Sequence, residues 1–428
     1  MTYLSLPDTL SSRDAKQGVL TYTTTQNLNL ARQKNAIRSF DPKHFGSREF
    51  GPRDTHLNAA NALLQKVHEL SVRDAARLAS ASPDIHAQNP DLINRLKDRL
   101  KTHLGQAEKI WDFYYYLFEQ RRGPFGPKLM AADNIGLDCY QTCYMGLGAA
   151  RSIPTPPPFS YIEGHLGPAT FRRGVKVSKI SRNPNPFPLI KLPYSRLVSP
   201  WSLGAIPHEI GHNIQNDLGL WKEGPRLIRN RLQRINMPKE VIDTWSTWHK
   251  EIYADLIGIL LIGPSYVASI MDVVGRPAIS VAQFSKGAVH PTPYLRILIN
   301  TMLLRLIGFD QEAAGYEKTR KSLYPADVAK HIPNSIRSTF DAACKATVIA
   351  LCFSEHAAYG GKRLVDVVGF QKKDQHIVFE AANRLAHGTS PGIVPDRFLI
   401  SAARVALDHK LAPPDRIAQN FYDVLLGK

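Results

Sequence analysis

The chain has 428 residues, 43% of them hydrophobic, with 54 Lys and Arg against 37 Asp and Glu and a formal net charge of +17. A chain of this length and hydrophobic content can bury a large core, and it is expected to divide into two or three structural units. Its four cysteines include no C-x-x-C pair, which excludes a small fold held together by disulfides.

Residues 1 to 52 are largely polar and show no sustained hydrophobic period, so they are predicted to form an extended N-terminal arm. The first residues, Met1 to Asp8, lack a basic region followed by an apolar run. Because a secretory signal needs that pattern, we expect a cytoplasmic protein, and export by a signal-less route stays open.

Residues 53 to 152 are predicted to form a helical region. Apolar residues recur at helical spacing from His56 onward, and further helices are expected at 91–104 and 106–120. The proline-rich run 153–158 then removes backbone donors and favours an extended conformation. We therefore place a domain boundary at residue 153.

Residues 153 to 325 are predicted to form the central domain. Between 159 and 200, short runs such as Thr170–Phe171 and Val175–Val177 alternate with Pro and Gly, a pattern that indicates a small sheet. Helical periodicity returns after this domain's motifs, and residues 326 to 428 are predicted to form a helical C-terminal region.

The run Ile206 to His212 contains the pattern H-E-x-x-H within an apolar stretch that is expected to be helical. On a helix, residues four apart share a face, so His208 and His212 can bind one metal ion through their imidazoles. Glu209 then lies beside the ion, where it can act as a general base on water. Ligands of this kind favour Zn²⁺ over other divalent ions.

A catalytic zinc site usually has a third protein ligand and one open position. Glu251, in the segment Trp248 to Gly258, is the candidate for this ligand. Asp255 follows one helical turn later, where its carboxylate can accept the outer N–H of a zinc-bound histidine and fix its orientation. The alternative interpretation is that Glu251 and Asp255 belong to the solvated face of an amphipathic helix.

These residues resemble the gluzincin zinc metallopeptidases. The pattern H-E-x-x-H at 208–212, followed by E-x-x-A-D at 251–255, is most similar to the family of the CAAX prenyl proteases and the bacterial heat-shock membrane metalloprotease. The segment 290–297, His-Pro-Thr-Pro-Tyr-Leu-Arg-Ile, resembles the H-P-x-x-x-x-R-I segment of that family. The resemblance covers residues 185 to 300.

The resemblance implies a zincin-like metallopeptidase core at 153–325, made of a small sheet and active-site helices. It implies that His290, with Tyr294 and Arg296 behind it, stabilises the negative charge of the tetrahedral intermediate. Arg296 is equally expected to brace Asp255 or another carboxylate. An edge strand around 189–198 is expected to pair with an extended peptide substrate.

Members of that family are typically embedded in a membrane, and this chain departs from them. Its most apolar stretch, Leu256 to Val274, contains Gly263-Pro264 and Asp272. We therefore interpret this stretch as a buried helix that continues from the zinc site, and we expect a soluble relative with no membrane span.

Two basic clusters flank the H-E-x-x-H pattern in the sequence, one at 172–176 and one formed by the four arginines between 226 and 234. Their charge would help attract nucleic acid, an anionic membrane face or an acidic protein. They are interpreted either as a basic rim around the active-site cleft or as an ordinary solvated surface. Neither cluster contains the interleaved aromatics that would indicate nucleic-acid binding.

The sequence therefore predicts an α+β, predominantly α, zinc-dependent peptidase that hydrolyses peptide bonds in a protein or peptide substrate. Two other functions stay open, a catalytically silent metal-binding regulatory module and a basic nucleic-acid-associated factor. Glu209 argues against the silent module, because a site that only binds metal has no use for a general base. Salt-dependent binding of DNA or RNA would favour the nucleic-acid factor.

Overall fold

The computed structural model describes residues 11–45, 49–80, 90–148, 151–164 and 167–427. Met1 to Asp8, on which the expectation about a secretory signal rests, lie outside the described residues. The described chain is mainly helical with a few short strands, which confirms a predominantly α, α+β composition.

The helices are numbered in chain order. They are α1 (Ser12–Ala36), α2 (Asp54–Ser80), α3 (Pro90–Glu119), α4 (Gly126–Leu147), α5 (Tyr194–Leu197), α6 (Ala205–Asp217), α7 (Leu220–Arg234), α8 (Lys239–Ile262), α9 (Ser265–Val274), α10 (Ala278–Val281), α11 (Pro293–Leu306), α12 (Asp310–Leu323), α13 (Asn334–Ser338), α14 (Phe340–Val348), α15 (Leu364–Val367), α16 (Lys372–His387), α17 (Asp396–Asp408) and α18 (Pro414–Leu426). The strands are β1 (Phe159–Ile162), β2 (Ala169–Phe171), β3 (Lys176–Val177), β4 (Asn183–Pro184) and β5 (Leu189–Leu192).

The chain divides into two compact units. The first combines Met1–Gly123 with Gly174–Pro186, and the second combines Pro124–Arg173 with Phe187–Lys428. The predicted boundaries at 53, 153 and 326 do not coincide with these units. Helix α4 precedes the proline-rich run, yet it packs against α6 and β1 and so belongs to the second unit.

In the first unit, α1, α2 and α3 pack against one another, and β3 pairs with β4. The prediction of an extended arm at 1–52 is wrong where α1 forms. This helix begins after Ser11, whose side chain accepts a hydrogen bond from the backbone N–H of Asp14. Helix α1 buries few apolar side chains, among them Leu30 against Leu100 and Leu104, so its sequence carries little helical periodicity.

The sheet of the second unit has the strand order β1-β5-β2, with β5 parallel to β1 and antiparallel to β2. All four residues of β5 are buried. The prediction of an edge strand around 189–198 is therefore wrong, because 189–192 is the central strand and α5 follows it. Three of the four residues of β5 are apolar, which is typical of a strand buried on both faces.

The apolar stretch 256–274 forms parts of two helices. Helix α8 runs on to Ile262, and the chain then turns at Gly263, which has a positive φ of 72°. A side chain at Gly263 would also meet the ring of Phe370, 2.3 Å from an ideal Cβ. The stretch is buried as predicted from Leu256 to Ile270, but Asp272 is exposed, and the stretch forms two helices rather than one.

No helix among the described residues is both long enough and apolar enough to cross a membrane.

Candidate metal centre

The three predicted ligands converge in the second unit. His208 and His212 extend from α6, and Glu251 extends from α8. Nε2 of His208 lies 3.4 Å from Oε2 of Glu251, and Nε2 of His212 lies 3.4 Å from Oε1 of the same carboxylate. In a tetrahedral zinc site with bonds of about 2.0–2.1 Å, neighbouring ligand atoms are about 3.3–3.4 Å apart. The two nitrogen–oxygen distances match this spacing, each to a different oxygen of Glu251, and one ligand atom from each of the three residues lies within 4.8 Å of the other two.

Glu251 and Asp255 are not a solvated helix face. Glu251 is 8% exposed and Asp255 is 1% exposed, so the alternative interpretation of this pair is wrong. Burial alone would raise the pKa of Glu251, but its contacts with the two histidines of α6 and with His290 hold it well below its usual range. The carboxylate is therefore ionised, as a metal ligand must be.

Asp255 fixes the orientation of His208, as predicted. Its Oδ1 lies 2.9 Å from Nδ1 of His208, on the side of the ring away from Glu251. A proton on Nδ1 leaves the lone pair of Nε2 facing the site. Burial alone would lower the pKa of His208, but Asp255 and Glu251 outweigh it and raise this pKa to about 10. A metal ion must therefore compete with a proton for Nε2, and acid is expected to weaken binding.

Arg296 braces the carboxylate of Asp255. Its Nε and one terminal nitrogen donate to the two oxygens of Asp255 at 2.5 and 2.7 Å. The same side chain reaches 3.6 Å from Oε2 of Glu251. Burial alone would raise the pKa of Asp255, but the charge of Arg296 and its hydrogen bonds lower it. Of the two roles predicted for Arg296, the geometry supports the bracing role.

Glu209 lies at the site without being one of the three ligands. It is 5% exposed and lines the same cavity as His208, His212 and Glu251. Burial raises the pKa of Glu209, against the opposing influence of the two histidines. A carboxylate whose pKa is shifted toward neutrality is better suited to accept a proton at neutral pH.

His290 reaches the site from the loop before α11. Its Nε2 lies 3.2 Å from Oε2 of Glu251, while 60% of its side chain is exposed. The ring also lines the cavity that contains the ligands. His290 is therefore placed between the metal ligands and solvent, where a substrate group can approach it.

Tyr294 does not join the site, which corrects its predicted role. Its ring lines a second cavity and packs beneath the guanidinium of Arg320, 3.7 Å from the ring centroid. The reason is helical geometry, because Tyr294 and Arg296 are two residues apart on α11 and so point about 200° away from each other. Only Arg296 of this pair can face Asp255.

Tyr266 is a site residue that the sequence did not reveal. Its hydroxyl donates to Oδ1 of Asp255 at 2.6 Å and lies 3.1 Å from Nδ1 of His208. The ring packs on Gly258, where an added Cβ would lie only 2.4 Å from a ring carbon. This contact depends on the turn at Gly263, which brings α9 back beside α8.

Two small residues bring the ligand helices together. At Gly211 of α6, an added Cβ would lie 2.9 Å from Cα of Ala254 and 2.5 Å from Cγ2 of Ile257, both on α8. These residues lie within or beside the two metal-binding motifs. The close approach of the two helices places histidines from one and a carboxylate from the other around one point.

Replacing Gly211 with Ala is expected to lower the free energy of unfolding and to weaken zinc binding. Overpacking at a rigid contact costs about 1–3 kcal/mol, which exceeds the gain of at most about 1 kcal/mol in helix propensity. Gly315→Ala on α12 is the matched control, because an added Cβ there meets nothing within 4 Å. Urea unfolding and zinc titration should separate the variants, and equal stabilisation of both would contradict the close contact.

The cavity beside the ligands has a volume of about 550 Å³. Its lining includes residues 167–170 at and before β2, together with Trp221 and Lys250. Asn213 of α6 ties β2 to the zinc helix, because its Nδ2 donates to Oγ1 of Thr170 at 2.9 Å and to the backbone oxygen of Glu209 at 2.8 Å. The edge strand beside the site is thus β2 and not β5.

Comparisons with models of known protein families, with curated proteins and with solved structures give no match to this chain. The function is therefore inferred from the side chains of the site itself.

Proposed function

We propose that this chain is a zinc-dependent peptidase in which His208, His212 and Glu251 bind Zn²⁺ and Glu209 is the general base. The observation that carries this proposal is the convergence of His208, His212 and Glu251, whose ligand atoms lie within 4.8 Å of one another, beside the buried carboxylate of Glu209. Zn²⁺ in such a site polarises a substrate carbonyl and lowers the pKa of water to about 7.

The residues of the chain have separate tasks in the proposed reaction. Glu209 accepts a proton from the attacking water and then delivers it to the leaving amine. His290 donates a hydrogen bond to the negatively charged oxygen that forms from the carbonyl, which its position between the ligands and solvent allows. Asp255 holds His208 in place, and Arg296 holds Asp255.

We further propose that the peptide lies along β2. In the described part of the chain, β2 pairs with β5 on one side and with no strand on the other. An extended peptide can add to such an edge through backbone hydrogen bonds. Because residues 167–170 line the cavity of the ligands, a peptide in that position would pass directly beside them.

Removal of the metal is expected to abolish peptide cleavage. The protein would be incubated with a denatured protein mixture or a peptide library before and after treatment with a chelator. Loss of a Lewis acid worth several kcal/mol should slow cleavage more than about a hundredfold, and added Zn²⁺ should restore it. The control is chelator saturated with Zn²⁺ beforehand. Cleavage that persists in demonstrably metal-free protein would contradict the proposal.

A further inference from the structure

One part of the cavity beside the metal ligands is basic. Arg172 directly follows β2, Lys250 directly precedes Glu251, and both line the cavity together with Trp221 of α7. The guanidinium carbon of Arg172 lies 4.4 Å from the centroid of the Trp221 ring, and Nζ of Lys250 lies 4.5 Å from it. Arg172, Trp221 and Lys250 are called the basic corner below.

Both cations of the basic corner lie against the ring of Trp221. Cation–π attraction to Trp221 restrains both side chains, which are only half-exposed. Burial lowers the pKa of Arg172, which reflects its withdrawal from bulk water. Within the described residues, Lys250 forms no ion pair with a carboxylate. Charges held in this way attract an anion more strongly than charges on a fully solvated surface.

The geometry of a guanidinium favours one kind of anion as the ligand of the basic corner. The guanidinium of Arg172 is planar, and its N–H groups point outward along the edge of that plane. That edge matches the two oxygens of a carboxylate. Elsewhere the same cavity is lined by apolar side chains, including Ile270, Val273 and Val289. The cavity therefore has basic and apolar residues in its lining, which can contact different groups of a bound peptide.

We infer that the basic corner binds a carboxylate group of the substrate, so that the enzyme prefers peptides with an acidic group close to the scissile bond. This inference rests on the proposed peptidase function. Because Arg172 follows β2 directly, a peptide lying along β2 extends to the basic corner. The carboxylate is either an Asp or Glu side chain or the free C-terminus of the peptide, since both present the same pair of oxygens.

The test is a set of internally quenched peptides with one cleavable sequence. Each successive position carries Glu, Gln or Lys in turn, and each peptide is made as a free acid and as a C-terminal amide. A charge-assisted contact should raise kcat/KM for Glu over Gln by at least about tenfold at one position. The peptide with Lys at that position should be cleaved more slowly than the peptide with Gln.

Variants of the basic corner should change this preference. We expect Arg172→Gln and Lys250→Gln each to reduce the Glu-to-Gln ratio of kcat/KM severalfold, and the double variant to bring it to about one. Lys250→Glu should favour the Lys peptide. Lys222→Gln, at an exposed position of α7 beside Trp221, removes the same charge outside the cavity and should keep the wild-type ratio. Thermal unfolding would show that each variant is folded.

The amide and acid forms identify the source of the carboxylate. A preference that survives amidation points to an internal Asp or Glu, and one that amidation removes points to the C-terminus. Equal cleavage of Glu and Gln peptides in both forms, or a preference that survives in the double variant, would overturn the inference.

A binding measurement separates this inference from the proposed function. Fluorescence anisotropy would compare the affinities of the Glu and Gln peptides for Glu209→Gln protein loaded with Zn²⁺. If wild type cleaves nothing while this protein still binds the Glu peptide at least about tenfold more tightly, the peptidase proposal fails and the carboxylate site stands. Equal affinities for both peptides would contradict the inferred carboxylate site.

Discussion

Replacing Glu209 with Gln is expected to slow peptide cleavage by at least about a hundredfold and to leave zinc content and thermal stability near those of wild type. Gln has almost the same shape as Glu but cannot accept a proton from the attacking water. Because Glu209 is not among the three converging ligands, the metal should stay bound. Cleavage rates on a peptide library, together with metal analysis of the same samples, would measure both effects.

A matched substitution keeps this test specific. Glu240→Gln changes an exposed carboxylate near the start of α8 and should leave cleavage unchanged. If wild type and Glu209→Gln cleave equally, the activity belongs to another site or to a contaminant. If neither cleaves any peptide while both bind a partner tightly, the chain is a metal-binding module rather than a peptidase.

Replacing Arg296 with Met should strongly destabilise the protein. The change removes two hydrogen bonds to Asp255 and leaves a buried carboxylate without its main counter-charge. Breaking a buried pair in this way costs about 3–5 kcal/mol. Because Asp255 orients His208, zinc affinity should also fall about 10–100-fold. Urea unfolding with and without Zn²⁺ would separate the loss of stability from the loss of metal.

Arg305→Met on the same helix is the control for this prediction. Arg305 pairs with Glu317 at 2.9 Å, but 39% of its side chain is exposed. An ion pair near the surface contributes about 0–1 kcal/mol. Similar losses of stability in the two variants would mean that the buried network around Asp255 has no special role.

The central part of the site could be predicted from sequence because its spacing is local. His208 and His212 lie one helical turn apart, and so do Glu251 and Asp255, so each pair shares a helix face wherever the helix forms. The pattern alone could not show that the two helices touch. The approach of the two helices depends on the contact between Gly211 and the backbone of α8. The residue types at these positions permit this contact but do not specify it.

The other features of the site and its cavity depend on tertiary structure. Tyr266 reaches Asp255 only because the chain turns at Gly263. The sequence around Tyr266 shows only an apolar run. Strand β2 contains a single large apolar residue, Phe171, so its place beside the cavity has no hydrophobic signature. The position of Tyr294 was predictable in principle, because two residues on a helix that differ by two in number cannot face the same point.

The zinc content of the purified protein tests the central claim most directly. Protein purified without added metal should contain about one Zn²⁺ per chain, and His208→Ala/His212→Ala should contain almost none. The control His331→Ala/His376→Ala removes two exposed histidines outside the site and should keep the wild-type content. Full occupancy in the His208→Ala/His212→Ala protein, measured by elemental analysis, would contradict a metal centre at these residues.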